Sequence, residues 1–313
     1  MELFLQNMQT AAQQVFILYI IVAVGFLADK LHVFTEPTAR ASNDLLFYVI
    51  TPCVIINSFL GTQFSRDTAK GLAIALGCSF LAHFLGILVA TPFFNNKNDP
   101  NGPIYKFASI YGNVGYMALP LANAVLGAEG VFYGSGGVIA LNTIGFTHGI
   151  WLMNKGKDVK FDPKSLLLNP GVISVLIGLP LFLFSVQLPA VIREPIAYIA
   201  DLNTPLAMLI FGTYISRTDL KTIFRIRQQY LIILIRLITV PLLMLLVCRL
   251  LHLPSVLTTA CIISAAAPSA NNTVMFSAKY GKDTGTASKI VAFNSFVSIL
   301  TLPIMIAIAQ IAV

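Results

Sequence analysis

Five neutral polar residues, Asn113, Asn123, Asn271, Asn272 and Thr273, sit in otherwise apolar stretches, and each stretch also holds a proline, Pro120 or Pro268. Proline donates no main-chain hydrogen bond, so inside a helix it leaves the carbonyls of Tyr116 and Ser264 without their usual partners. The spacing predicts two helices interrupted near their middles. In each, the half that follows the proline begins with free N–H groups and the positive end of a helix dipole. Asparagine and threonine add donors and acceptors without net charge, and Tyr116, with Tyr111, is placed to border the same space. Such a constellation suits reversible capture of a small organic anion, held by directed dipoles and by no fixed countercharge. Nothing in it resembles catalytic machinery: GxSxG, HExxH and CxxC are all missing from the sequence, so no enzyme, no metal site and no cofactor is expected.

The elements that carry these residues follow from composition. Of 313 residues, 57% are hydrophobic and only 11% charged, with a mean hydropathy of +0.81; soluble domains run at roughly 45–50% and about 25%. Too few polar side chains remain to cover a surface in water, so the fold class is an all-α polytopic membrane protein. The net charge of +7 does not signal nucleic acid, because the basic residues lie in short loops between apolar runs. A bilayer-crossing helix needs about 20 apolar residues, and that ruler predicts ten spans, near 11–31, 41–61, 70–93, 105–127, 131–153, 170–189, 195–216, 228–250, 255–278 and 287–312. Spans four and nine are the broken ones. The start of the chain lacks a basic lead and a cleavage site, so the first span is expected to be retained.

Lysine and arginine divide unevenly between the two faces. Arg66, Lys70, Arg193 and Arg249 fall on one side. Lys30, Arg40, Lys97, Lys106, Lys155, Lys157, Lys160, Lys164, Arg217, Lys221, Arg225, Arg227, Lys279, Lys282 and Lys289 fall on the other. The second side is expected to be cytoplasmic, with both termini outside and the chain in the cell membrane. The halves also repeat in order: Thr51-Pro52 with Thr204-Pro205, the segment Gly61 to Arg66 with Gly212 to Arg217 (GTxxSR in both), and Pro120 to Asn123 with Pro268 to Asn271. With an odd number of spans per half, the copies face opposite sides, the inverted repeat of many secondary transporters. The expected division is 1–154, a cytoplasmic linker over 155–168, and 169–313.

One basic residue, Arg236, lies deep inside a span. A buried arginine costs roughly 2.5–3.5 kcal/mol on insertion scales and needs a partner or a cavity. For Arg236 the expected partners are Asp44 or Asp201, in a charge network with Asn203 that clamps helices together, contacts the anion or couples transport to an ion. The carboxylates permit protons and unwound carbonyls permit sodium. His83 and His148 are expected to be packed or interfacial. Cys53, Cys78, Cys248 and Cys261 all fall within spans as small apolar packing residues.

The stretch GNVGYMALPL, the run PLAMLIFG from Pro205, Arg236 followed by Pro241, and the segment AAAPSANNTVMFSAKYG resemble the auxin efflux carrier family, over essentially the whole chain. That family includes bacterial organic-anion carriers and plant PIN auxin exporters. The resemblance implies a five-plus-five inverted repeat with crossing broken helices, related to the bile acid–sodium symporters. It implies a substrate-carboxylate contact for Asn113, crossover roles for Pro120 and Pro268, and a homodimer. The short cytoplasmic loop departs from plant PIN proteins, and Asn271-Asn272-Thr273 is more polar than its counterpart there. The first leaves no long loop for regulation of the plant kind; the second points to a smaller, more polar acid than auxin, and the expected function is a secondary carrier of mono- or dicarboxylates. A channel-like facilitator, a transport-derived sensor and a membrane-embedded enzyme are the alternatives.

Overall fold

A computed structural model describes residues 2–96, 99–154, 167–217, 224 and 226–311. Of the predicted linker 155–168 only Leu167 and Leu168 are among them; Lys97, Lys155, Lys157, Lys160, Lys164, Lys221 and Arg225 lie outside the described residues. The described chain is helical, without a β-strand. Its helices are α1 (Glu2–Lys30), α2 (Glu36–Gly61), α3 (Arg66–Phe93), α4 (Gly102–Ile110), α5 (Val114–Met153), α6 (Pro170–Leu183), α7 (Ala190–Asp201), α8 (Asn203–Ser216), α9 (Gln228–Leu250), α10 (Ser255–Ala266), α11 (Asn272–Lys279) and α12 (Thr284–Ile311). Among the described residues six uninterrupted apolar stretches are long enough to cross a membrane, including α2, α3, α9 and α12, and α6 and α10 are shorter apolar helices.

Local chemistry accounts for the joints. Ser65 starts α3 with a capping box, its Oγ accepting the Thr68 N–H at 3.0 Å while Thr68 Oγ1 accepts the Ser65 N–H at 2.9 Å. Asn169 caps α6 by accepting from the N–H groups of Gly171 and Val172. Both Thr-Pro pairs fall in the first turn of an α-helical stretch, Thr51–Gly61 and Asn203–Ser216, where a missing donor costs nothing. Wider π turns occur at Leu46–Ile50, Val114–Ala118, Gly145–Gly149 and Leu234–Thr239. α5 bends at Gly127, where φ is 66°, so its two arms correspond to separate predicted spans.

The helices pack in two groups. α1 lies along α8, and α2 packs on α6 and α7; in the other group α3 packs on α5, and α10 packs on α5, α9 and α12; the packing of α1 on α12 and of α2 on α5 joins the two. Phe59, Phe132 and Phe182 stack where the groups meet, with ring centroids 4.9 Å apart for Phe59–Phe132 and Phe132–Phe182. The outer surface is itself apolar: Phe184, Val191, Leu250 and Leu300 are each at least 70% exposed, as a lipid-facing wall requires. The structure is that of a multi-pass membrane protein.

α1 and α8 approach so closely that a Cβ on Gly25 would stand 2.3 Å from the Leu209 carbonyl oxygen, and one on Gly212 would stand 2.1 Å from that of Val22. Small residues permit this approach where no hydrophobic force drives helices together in lipid. At the end of the contact Arg217 grips Asp29 through Nε (2.9 Å) and Nη2 (2.8 Å), and Lys30 Nζ donates to the Ser216 carbonyl at 3.0 Å. Gly25→Leu is expected to force the pair apart and lower the thermal-unfolding midpoint of the detergent-solubilised protein by several degrees or more. Lys70→Leu, on the first exposed turn of α3, is the control expected to leave it unchanged.

Candidate functional site

Two helices end in mid-protein and face each other. α4 stops at Ile110; Tyr111 (φ −100°, ψ 118°) is extended and Asn113 (φ −79°, ψ 66°) starts the next helix. α10 stops at Ala266, Ala267 is extended, and α11 begins at Asn272. The two extended segments pair as a short antiparallel bridge between Gly112 and Ser269. The Asn113 N–H donates to the Pro268 carbonyl at 2.6 Å, the Ala270 N–H to the Tyr111 carbonyl at 2.9 Å, and Ser269 Oγ to the Ala108 carbonyl at 2.7 Å. Backbone groups that have left a helix are thus satisfied by a second interrupted helix, the condition under which irregular backbone persists away from water.

The predicted proline break holds for Pro268 and needs correction for Pro120. Pro120 lies in the first turn of the α-helical part of α5, directly after the π turn, and the chain is helical around it. The Leu119 N–H reaches back to the Val114 carbonyl, so the wider turn already displaces the bonding pattern in which a proline would leave a gap. The actual break at Tyr111-Gly112-Asn113 was signalled by the Gly-Asn pair, a turn former by composition.

Arg236 also departs from expectation. Its side chain is buried, and neither Asp44 nor Asp201 is its partner; both are exposed. The guanidinium donates instead to three main-chain carbonyls: Nε to Ala267 at 2.8 Å, Nη1 to Ile110 at 3.1 Å and Nη2 to Ser264 at 3.3 Å. These are the last carbonyls of α4 and α10, the negative ends of two helix dipoles and among the acceptors a helix terminus leaves unpaired. The Ser264 carbonyl, predicted to lose its helical partner to Pro268, recovers one from Arg236. A Cβ on Gly112 would lie 1.8 Å from Nη2, so only glycine lets the bridge and the guanidinium occupy one place.

Beside the paired segments lies a cavity with about 500 Å³ of empty space, counting the solvent it opens onto. Asn113, Gly115 and Tyr116 come from the start of α5, and Ala270, Asn271 and Asn272 from the start of α11. Asn169 and Gly171 come from the start of α6, Phe47 and Thr51 from α2, and Val138, Leu141 and Asn142 from the far arm of α5. The starts of three helices therefore border one space whose lining carries no ionised side chain. Asn142 and Asn169 exchange side-chain hydrogen bonds at 3.1 and 3.3 Å. The Thr51 hydroxyl is buried without a protein partner.

Of the residues expected at the site, Asn113, Tyr116, Asn271 and Asn272 line this cavity, and Pro268 accepts within the crossing. Asn123 does not join them. It lines a second cavity, of about 270 Å³, with Asn57, Ser58 and Asp201. Thr273 is fully buried behind the cavity wall with its hydroxyl unpartnered, and Asn203 is buried with both amide atoms unpartnered. His148, expected to be packed or interfacial, shares a 2.7 Å hydrogen bond with the hydroxyl of Tyr111 inside the break. Thr51 and Asn142 escaped sequence reasoning because single polar residues in an unbroken span look like packing, as does an aromatic such as Phe47; Asn169 falls just outside a span. For Asn169 the following proline, an N-cap signature, was the available signal.

The family model described as "Membrane transport protein" matches residues 10–164 and 157–306. An uncharacterized transporter of Methanocaldococcus jannaschii, MJ1031, is 24% identical over 294 residues, covering 91% of this chain and 92% of its own length. The uncharacterized transporter YfdV of Escherichia coli K12 is 23% identical over 313 residues, covering 93% and 95%. The family match spans nearly the whole chain, and both relatives are transporters matched from end to end: this protein belongs to the membrane transport protein family, the auxin efflux carriers whose motifs its fourth and ninth spans resemble.

Proposed function

We propose that the protein is a secondary active transporter of small organic anions, mono- or dicarboxylates, working by alternating access rather than as an enzyme. The observation that carries this reading is the uncharged cavity bordered by the starts of α5, α6 and α11, with the amides of Asn113, Asn271 and Asn272 in its wall. Three positive dipole ends attract a carboxylate without the fixed countercharge that would hold it too tightly to leave. In this reading residues 1–154 and 169–313 are two five-span inverted repeats joined by a cytoplasmic linker, α4–α5 and α10–α11 are the crossing broken spans, and both termini face outward from the cell membrane. The cavity lies between the two packing groups, so movement of one group against the other changes its access. Protons or sodium drive the cycle, in a homodimer within the bilayer.

Counterflow in proteoliposomes tests the reading: unlabelled carboxylates inside should accelerate uptake of a labelled one, and flux should saturate. A saturating response to no mono- or dicarboxylate, or unsaturated conductance in its place, would remove the carrier. Flux under separate pH and sodium gradients identifies the driving ion. Asn113→Ala removes an amide from the wall and the acceptor of the Tyr116 N–H (3.3 Å). It is expected to weaken apparent substrate affinity about tenfold, the equivalent of one hydrogen bond to a charged group. Unchanged affinity would place the anion elsewhere.

A further inference from the structure

Three of the four cysteines come together in a part of the molecule the transport reading does not use. Cys78 of α3, Cys248 of α9 and Cys261 of α10 are all buried, and their sulfur atoms lie within 4.8 Å of one another. All three sit in the hydrophobic core. Packing alone asks only for small side chains there; it does not ask for sulfur from three separate helices to converge. A metal–sulfur distance of about 2.3 Å places three sulfurs roughly 4 Å apart around a trigonal ion, a spacing these thiols already approach.

We propose that Cys78, Cys248 and Cys261 form a three-sulfur binding site for a soft monovalent d10 ion of the Cu(I) type. Thiolates select soft ions. Zinc prefers a fourth ligand, and no further His, Cys, Asp or Glu joins the group among the described residues. The apolar setting fixes the proton balance: Cu⁺ displaces one thiol proton to solvent and binds that thiolate and two neutral thiols, which leaves no net charge buried. Copper stays in its +1 state and no electron is transferred. Because Cys261 lies one turn before Ser264, whose carbonyl Arg236 holds, the bound ion ties the outer half of the broken helix to α3 and α9 at a distance from the anion cavity.

The test uses the purified full chain in detergent, reduced and free of oxygen, titrated with Cu(I) against a chromophoric Cu(I) chelator. One ion per chain is expected, with the luminescence of a solvent-shielded Cu(I)–thiolate centre. Cys78→Ala, Cys248→Ala and Cys261→Ala should each weaken binding by at least about tenfold, the loss that removing even an outer-sphere partner brings, and the triple variant should abolish it. Cys53→Ala, on α2, should change nothing. Failure of the unaltered protein to compete with the chelator overturns the proposal even if the variants misfold, and so does full binding by the triple variant. Fewer than four free thiols in metal-free protein purified without reductant would also overturn it, in favour of a disulfide among the same residues.

Discussion

Arg236→Ala is expected to be among the most damaging substitutions in the chain. It removes the donors to the carbonyls of Ile110, Ser264 and Ala267 at once and leaves them buried where neither water nor lipid can replace them. Hydrogen bonds to a charged group contribute about 1.5–3 kcal/mol each, and stripping one partner from a buried ionic arrangement typically costs about 3–5 kcal/mol. The detergent-solubilised variant should therefore unfold at a much lower temperature or fail to survive extraction as a monodisperse species. Arg236→Lys keeps the charge but substitutes a point donor for a planar fork. It should restore only part of the loss, since a single ammonium cannot reach three carbonyls on two helices. Wild-type stability in Arg236→Ala would mean that the crossing is held by something other than the guanidinium.

Gly112→Ala should match that damage by the opposite route, adding an atom where Arg236 already lies. The new Cβ would stand 1.8 Å from Nη2, 2.6 Å from Cζ and 3.0 Å from Nε, contacts too short for small adjustments to relieve. Either the guanidinium leaves its carbonyls or the Gly112–Ser269 bridge opens. Overpacking of this kind costs about 1–3 kcal/mol. The two lesions share one cause, so the Gly112→Ala, Arg236→Ala double variant should be hardly worse than Arg236→Ala alone, with a coupling of about 0.5–3 kcal/mol in thermal or denaturant unfolding. Simple additivity of the two losses would show that Gly112 is needed for its backbone and not for the room it leaves.

These expectations mark where sequence reading succeeds. An apolar excess, basic loops and a proline beside asparagine suffice for a helical membrane protein with an interruption near residue 268, because each is a property of one segment measured against lipid. Partners across the molecule are another matter. A lone arginine inside a span invites a search for an acid, yet the acceptors of Arg236 are main-chain carbonyls, which every residue carries and no sequence pattern marks. Ile110 is 126 positions away. Pro120 misled for a related reason: proline reports a missing donor, and the first turn of a helix tolerates that without breaking. Asn123 was assigned as a polar neighbour of Pro120, and with no break at that proline it borders a different cavity from Asn271.

The antiparallel bridge between Gly112 and Ser269 has a mechanical implication. Main-chain bonds in both directions, a serine hydroxyl and a guanidinium knot the two interrupted helices at a single point. Separating them would strand all those groups in a dry interior, so the knot has no low-energy way to part like a pair of jaws. In the proposed carrier, a solute resting against it would be carried past the other helices as cargo on a solid block, and the flexible parts of the cycle would belong to whatever slides along that block's sides.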